Sequence, residues 1–263
     1  MRLLFIGDVV GQPGREAVKA LLPALVARYE VDFAIANGEN AAGGMGITAA
    51  VAEELLQAGV DVLTTGNHVW RQRDALRLLE QEPRVLRPAN YPPGAPGRGA
   101  EVYQTEHSGP IGVLNLLGRT FMQPLDCPFR AADREIEALR GRTSVIIADI
   151  HAEATSEKLA MGWYLDGRAS AVIGTHTHVQ TADERVLPQG TAYITDVGMT
   201  GPRDSVLGVR VEGIVQRFLS GLPCRFEVAS GAQALNAVVV DINPETGTAN
   251  SIERVVESTA TDD

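Results

Sequence analysis

Cysteine is nearly absent from this chain. Its 263 residues include two cysteines, Cys127 and Cys224, which lie far apart and form no C-x-x-C pair. Disulfide frameworks and zinc-thiolate sites both need more cysteines at closer spacing. The sequence therefore indicates neither, and it fits a reducing compartment.

Long hydrophobic runs and an excess of basic charge are also missing. The apolar stretches are far shorter than the ~20 residues that span a bilayer, and the N-terminus enters a strand after one arginine rather than a signal-like region. The formal net charge of −10 argues against extended nucleic-acid binding, which requires many Lys and Arg side chains. We expect a cytoplasmic protein that binds no membrane. A small anionic substrate would need concentrated positive charge, which metal ions supply.

The phosphate-binding fingerprints of nucleotide folds are missing as well. The short apolar strand from residue 2 to 6 ends at Gly7-Asp8, and glycines follow at Gly11 and Gly14. Their spacing matches neither G-x-G-x-x-G nor G-K-[S/T]. A nucleotide-binding fold is therefore not supported.

What the chain does have is an alternation of apolar strands and amphipathic helices, with no repeat and no linker. Hydrophobic residues at 44% and charged residues at 21% are ordinary for a globular protein, and this length suits one α/β domain. We predict a single domain over residues 1–263. The first half alternates strands and helices and the second half is rich in strands, which favours an α/β fold with two facing β-sheets flanked by helices.

The predicted elements can be stated by residue number. Strands are predicted at about 2–6, 31–36, 60–65, 100–106, 111–117, 144–150, 169–173, 191–195, 224–228, 235–241 and 251–256. Helices are predicted at about 15–29, 48–58, 72–81, 131–140, 156–165 and 211–219.

Polar groups able to bind a metal follow five of these strands. In chain order they are Asp8, Glu39, Asn40, Asn67, His68, His151, His176 and His178. Open α/β sheets place their ligand sites at the carboxyl ends of strands, so these groups are expected to meet. His176 and His178 alone would more often be hydrogen-bonded loop residues. The number of matching strand ends is what favours a metal site.

Four blocks of this sequence occur in the order found in calcineurin-like metallophosphoesterases. They are Gly7-Asp8, Gly66-Asn67-His68, the separate His151, and Gly174-Thr175-His176-Thr177-His178. The chain departs from the usual pattern in three places: Asp8-Val9-Val10 replaces Asp-x-His, Gly38-Glu39-Asn40 replaces Gly-Asp, and Gly-Thr-His replaces the last Gly-His. With these departures the chain resembles the YmdB-type branch, bacterial phosphodiesterases of 2′,3′-cyclic nucleotides, over nearly its whole length.

The resemblance implies a four-layer αββα metallophosphoesterase sandwich that holds two metal ions. It implies that one ion is bound by Asp8, Asn40 and His178, that the other is bound by Asn67, His151 and His176, and that Glu39 bridges the two. A hydroxide held between the ions would attack phosphorus, and His68 would protonate the leaving alkoxide. The alternative role for His68 is to orient Asn67 or the phosphate. Iron is favoured, with manganese or zinc as alternatives.

The sequence says less about which substrate binds and which residues contact it. Arg119 could contact phosphate and Trp70 or Phe121 could stack on a base, although a surface arginine and core aromatics are the more common interpretation. The main hypothesis is a dinuclear-metal-dependent phosphodiesterase acting on 2′,3′-cyclic nucleotides such as 2′,3′-cAMP, with a phosphomonoesterase or nuclease as its rival. The alternative from another class is a metal-binding regulatory or RNA-interacting protein with incidental phosphatase or nuclease activity. Exposed strand edges predict a homo-oligomer.

Overall fold

The computed structural model describes residues 1–259, which form two β-sheets and six helices. The strands are β1 (Arg2–Ile6), β2 (Asp8–Val9), β3 (Phe33–Asn37), β4 (Val62–Thr64), β5 (Ala100–Gln104), β6 (Pro110–Leu117), β7 (Val145–His151), β8 (Ala171–Thr175), β9 (Arg185–Val186), β10 (Ala192–Ile194), β11 (Met199–Pro202), β12 (Gln233–Ile242) and β13 (Ala249–Ser258). The helices are α1 (Gly11–Tyr29), α2 (Ala49–Gln57), α3 (Ala75–Gln81), α4 (Pro128–Arg140), α5 (Thr155–Leu165) and α6 (Val211–Ser220). The predicted domain runs to residue 263, and its last four residues lie outside the described range.

The two sheets draw their strands from both halves of the chain. The first has the order β2-β11-β12-β1-β3-β4, with β13 paired to β12, and the second has the order β5-β6-β7-β8-β10-β9. Within the first sheet β1, β3 and β4 are parallel, and within the second β6, β7, β8 and β10 are parallel. Each sheet therefore presents several carboxyl strand ends at one edge.

Three separate apolar cores show that the molecule has four layers. In β1, Leu3 and Phe5 pack between the sheets while Leu4 and Ile6 pack under α1 and α2. A third core lies between the second sheet and helices α4 and α5. Successive strand residues point to opposite faces, and both faces of each sheet are packed against helices or the other sheet. The central strands are therefore continuous apolar runs in the sequence. The predicted αββα sandwich is confirmed.

Several predicted elements need correction. Residues 224–228 form no strand; Val228 makes only an isolated bridge to Val209, because the preceding residues are largely exposed and have no partner strand. Helix α1 begins at Gly11 rather than residue 15, since Pro13 is tolerated in a first turn whose N–H groups have no helical partner. His151 is the last residue of β7 and does not follow it.

In the described residues, no helix is long and apolar enough to cross a membrane.

Candidate metal centre

The side chains nominated for metal binding lie at the carboxyl edges of both sheets. Asp8 is in β2, directly after β1; Glu39 and Asn40 follow β3; Asn67 follows β4; His151 ends β7; and His176 and His178 follow β8. Contacts between the sheets bring them together: His151 Nε2 of the second sheet lies 3.2 Å from Glu39 Oε1 of the first.

One group of potential ligands is centred on His151. Ligand atoms of Glu39, His151 and His176 all lie within 4.8 Å of one another, which is a spacing that suits a metal ion. His151 Nε2 is 3.0 Å from His176 Nδ1 and 3.1 Å from Asn67 Oδ1. Two imidazole nitrogens, a carboxylate oxygen and an amide oxygen therefore face one point, and a divalent transition metal prefers such a donor set.

A second group contains Asp8, Asn40 and His178. His178 Nε2 lies 3.9 Å from Asp8 Oδ1 and 3.1 Å from the amide nitrogen of Asn40, which is itself 3.1 Å from Glu39 Oε1. Asp8 Oδ1 is buried and has no hydrogen-bond partner among the described residues. A buried carboxylate oxygen without a donor is costly, and a bound cation would satisfy it. Glu39 touches both groups.

The hydrogen bonds of the histidines fix which ring nitrogen faces each group. His151 Nδ1 lies 2.9 Å from Thr175 Oγ1, and His178 Nδ1 lies 3.2 Å from the carbonyl oxygen of Leu207. Both rings therefore turn Nε2 toward the site. His176 is reversed, because its Nε2 lies 3.1 Å from a Glu153 carboxylate oxygen and its Nδ1 faces His151. Pairing of a ligand imidazole with a carboxylate is a common feature of metal sites.

A buried polar network beneath the centre was missed by sequence reasoning. Thr175 Oγ1 donates to Asp149 Oδ1 at 2.7 Å, and so it accepts from the His151 Nδ1–H. The other Asp149 oxygen accepts from Thr64 Oγ1 at 2.5 Å and from Asn37 Nδ2 at 2.9 Å, which joins the two sheets. The sequence signal that could have revealed this network is Asp149, an aspartate inside the apolar strand β7.

The comparison with protein families agrees with this geometry. Residues 4–255 match the family model described as YmdB-like protein. The chain belongs to the YmdB-like family. It is 54% identical over 256 residues to the 2′,3′-cyclic-nucleotide 2′-phosphodiesterase of Bacillus subtilis (strain 168), with 97% of each chain covered.

Two solved structures extend the similarity to the fold of YmdB-like proteins. A hypothetical protein from Thermus thermophilus is 46% identical, with a TM-score of 0.92 and coverage of 99% of this chain and 100% of that one. A phosphatase from Mycoplasma pneumoniae is 35% identical, also with a TM-score of 0.92, and coverage of 98% and 93%. The predicted resemblance to metallophosphoesterases, and to their YmdB-type branch, is confirmed.

The carboxylates and imidazoles of this YmdB-like centre strongly perturb one another in the metal-free protein. Burial opposes the charged form of Glu39, but the positive charge of His151 and hydrogen bonds from His151 and His68 hold the pKa of Glu39 well below its usual range. Burial also opposes protonation of His151, yet Glu39 and Asp8 raise the pKa of His151 to about 9. For His176, burial and the nearby charge of His151 lower the pKa to about 3.

The raised pKa of His151 predicts a pH dependence for metal uptake. His151 must lose its proton before Nε2 can bind a metal, so the affinity for Mn²⁺ should rise by up to about tenfold per pH unit until about pH 9. In the metal-free protein the folded pKa lies above the ordinary value of 6.5. The stabilising contribution is then complete below pH 6.5 and is lost as pH rises through about 9.

Thermal melts of chelator-treated protein check this directly. The melting temperature should fall between pH 6.5 and 9 in the metal-free protein, and it should not fall in the metal-loaded protein over the same range. A melting temperature of the metal-free protein that rises or stays constant over that range would show that His151 is neutral.

Gly66, the first residue of the Gly66-Asn67-His68 block, is required by close packing rather than by its backbone angles. A Cβ atom there would lie 2.3 Å from Glu39 Oε2 and 2.4 Å from His151 Nε2, far inside contact distance. We expect Gly66→Ala to displace both side chains and to weaken Mn²⁺ binding by about 10- to 100-fold, as changes beside metal ligands do.

Gly141→Ala is the matched control for Gly66→Ala. A Cβ atom at Gly141 would meet its nearest neighbour, the Ala138 carbonyl oxygen, at an ordinary 3.7 Å. Equilibrium titration with Mn²⁺ should therefore give the wild-type affinity for Gly141→Ala. Unchanged affinity in Gly66→Ala would mean that the glycine is not needed for the centre to form.

The three suggested substrate contacts have different surroundings. Trp70 packs edge-on against Tyr91, with ring centroids 5.4 Å apart, and is partly buried against the helical core. Arg119 and Phe121 are exposed, and Phe121 is 90% exposed at a φ of 62°. Gly118, which precedes them, donates its N–H to the carbonyl oxygen of His151, and the Arg119 side chain lines a surface cleft with Arg130 and Arg134.

Proposed function

We propose that this protein is a dinuclear-metal-dependent phosphodiesterase that hydrolyses 2′,3′-cyclic nucleotides such as 2′,3′-cAMP. The observation that carries the proposal is the pair of ligand groups that share Glu39. The Bacillus subtilis relative named for this activity supports the choice of substrate. We further propose that residues 1–263 act as one metallophosphoesterase domain.

We assign one ion to Asp8, Asn40 and His178 and the other to Asn67, His151 and His176, with Glu39 contacting both. Asp8 Oδ1, which is buried and has no hydrogen-bond partner within residues 1–259, and the short distances around His151 Nε2 support this division. When bound, the two ions supply Lewis-acid stabilisation of the phosphoryl oxygens and a water that is activated at neutral pH. Iron is our first choice of metal, with manganese or zinc as alternatives, because imidazole and oxygen donors suit all three.

His68 is the proposed proton donor. Its Nδ1 lies 2.8 Å from Asn40 Oδ1 and 3.3 Å from Glu39 Oε1, whereas nothing among the described residues hydrogen-bonds to Nε2. The free Nε2 is then the atom that gives a proton to the leaving oxygen. In the cyclic diester, the water oxygen bonds to phosphorus and gives one proton to solvent, the P–O2′ bond breaks, and O2′ takes the His68 proton, which leaves a 3′-phosphate; His68 then regains a proton from solvent.

Ligation by Asn40 would couple metal binding to the state of His68. The Asn40 amide now turns its nitrogen toward His178 and Glu39 and its oxygen toward His68. A metal ligand must be the oxygen, so ligation requires the amide to rotate by half a turn about its last side-chain bond. With the Asn40 nitrogen turned toward His68, a doubly protonated His68 would have to direct its Nδ1–H to Glu39 Oε1, which lies 3.3 Å away.

We also propose where and in what form the protein works. The free thiols of Cys127 and Cys224 support a cytoplasmic location. Phe121 and Arg119 are proposed contacts for the base and the phosphate of a small substrate. The homo-oligomer stays a prediction.

A substrate panel tests the proposed function. Protein reconstituted with Fe²⁺ or Mn²⁺ under anaerobic conditions should bind close to two ions per chain by elemental analysis. It should hydrolyse 2′,3′-cAMP faster than 3′,5′-cAMP, a phosphomonoester or a short single-stranded RNA, and chelator-treated protein should be inactive on all four. One ion or none after reconstitution would contradict the dinuclear centre, and a preference for the monoester or RNA would contradict the substrate.

A further inference from the structure

A buried ion pair lies next to the metal centre and contributes no ligand to it. Lys158 of α5 and Asp196, between β10 and β11, are both fully buried, and Lys158 Nζ lies 2.7 Å from Asp196 Oδ2. Removing two charges from water is expensive, and a buried ion pair stabilises a fold little more than apolar side chains would. Its presence therefore calls for another explanation.

The Asp196 carboxylate holds two loops that carry proposed ligands. Its Oδ2 accepts hydrogen bonds from the Thr177 N–H at 2.9 Å and from Thr177 Oγ1 at 2.6 Å. Its Oδ1 accepts from the Gly198 N–H at 2.8 Å, and the Gly198 carbonyl oxygen accepts from the Asp8 N–H at 3.1 Å. One side chain thus fixes both the segment between the two histidines and the backbone of Asp8.

The segment around Thr177 needs such support because its backbone is strained. His176 has a φ of 98° and His178 has a φ of 65°, which are left-handed conformations that residues other than glycine rarely adopt. Strained residues persist where surrounding contacts hold them, and they occur preferentially at functional sites. Thr177 lies between the two strained histidines. The Asp196 carboxylate accepts both of its hydrogen bonds, and Lys158 neutralises the charge of that carboxylate.

We propose that Lys158 and Asp196 are positioning residues of the metal centre, which hold Asp8 and the His176-Thr177-His178 turn in the geometry that binds metal. This inference rests on the proposed function, since it assumes that these side chains are ligands. Lys158 suits the role because its charge pairs the buried Asp196 carboxylate, while Oδ2 and Oδ1 still accept hydrogen bonds from Thr177 and Gly198. Its aliphatic stem also lies against β8: a Cβ at Gly174 would be 2.9 Å from Lys158 Cδ.

A pair of substitutions at Thr177 tests the inference with little risk to folding. Thr177→Val keeps the shape of the side chain and removes the hydroxyl that donates to Asp196, whereas Thr177→Ser keeps that hydroxyl. We expect Thr177→Val to bind Mn²⁺ about 10- to 100-fold more weakly, as loss of an outer hydrogen bond to a metal site does. Thr177→Ser should bind within a few-fold of wild type. Competition with a chromophoric chelator measures both affinities without any assay of activity.

Lys158→Met is the second variant, and two controls accompany it. It should weaken Mn²⁺ binding at least as much as Thr177→Val, because it leaves Asp196 without its counter-charge. Arg168→Met removes a surface ion pair to Asp133 and should leave the affinity unchanged. Leu139→Ala, on the buried face of α4, should lower the melting temperature of the metal-free protein without changing Mn²⁺ affinity.

The outcomes separate this inference from the proposed function. Wild-type affinity in both Thr177→Val and Lys158→Met, with two ions bound by the wild type, would overturn the positioning role and leave the metal centre intact. Equal losses of affinity in Leu139→Ala and Thr177→Val would also overturn it, because general destabilisation would then explain both. If the wild type binds no metal, the proposed function is wrong and the inference falls with it. If Lys158→Met does not fold, the comparison of Thr177→Val with Thr177→Ser decides whether the positioning role is correct.

Discussion

Glu39→Ala is expected to lose both metal ions and to reduce turnover to the level of chelator-treated protein. Glu39 is the side chain that touches both ligand groups: Oε1 lies 3.2 Å from His151 Nε2 and 3.1 Å from the Asn40 amide. A carboxylate can bind two cations at once, so its removal weakens both sites, whereas Asn40→Ala or Asn67→Ala weakens one. Elemental analysis after reconstitution should give the lowest metal content for Glu39→Ala.

The control for Glu39→Ala is Glu53→Ala, at a second glutamate beyond β3. Glu53 lies on the exposed face of α2, and its side chain accepts a hydrogen bond from Gln57 at 3.1 Å. Glu53→Ala should bind two ions and turn over substrate as the wild type does. Thermal melts of metal-free Glu39→Ala would show that it is folded. If folded Glu39→Ala kept one full ion, Glu39 would belong to a single site and the bridging role would be wrong.

His68→Ala is expected to slow hydrolysis of 2′,3′-cAMP by about 10²- to 10⁴-fold, the range typical of a lost proton donor. Both ions and the fold should be retained, because His68 is not among the proposed ligands; its Nδ1 and backbone N–H make its hydrogen bonds to Asn40 and Glu39. The loss should depend on the leaving group. A diester that releases p-nitrophenolate needs little protonation and should be affected less than a cyclic nucleotide, whose departing ribose oxygen is strongly basic.

Two comparisons complete the His68 experiment. His107→Ala changes an exposed histidine in the turn between β5 and β6, and it should leave turnover of both substrates unchanged. Asn67→Ala should slow both substrates alike by disturbing a ligand. Equal losses on both substrates for His68→Ala, with two ions still bound, would assign His68 to positioning. Loss of metal in His68→Ala would mean that His68 supports the metal site, either as a ligand or through its hydrogen bond to Asn40.

The strand and helix pattern of this fold could be predicted from the sequence because it depends on local periodicity. Runs such as residues 3–6 and 145–148 are apolar and buried on both faces, and Thr48 accepts from the Val51 N–H as the cap of α2. Such signals act within a few residues. Residues 224–228 show the limit of this reasoning. Their composition suits a strand, but a strand needs a partner, and sequence does not place one beside them.

The chemical nature of the site was also determined by the sequence, since carboxylate, amide and imidazole groups follow the ends of apolar strands from Asp8 to His178. Which atoms face one another was decided only by the tertiary structure. Asp149, Lys158 and Asp196 lie within apolar segments or between strands, and no local pattern connects them to the ligands. Apart from Gly198, which is two positions from Asp196, the partners described above are 19 to 112 positions away in the chain and become neighbours only in the folded structure. Hydrogen bonds and ion pairs form only when the distance between two atoms is correct to within a few tenths of an ångström, and periodicity alone does not determine such distances.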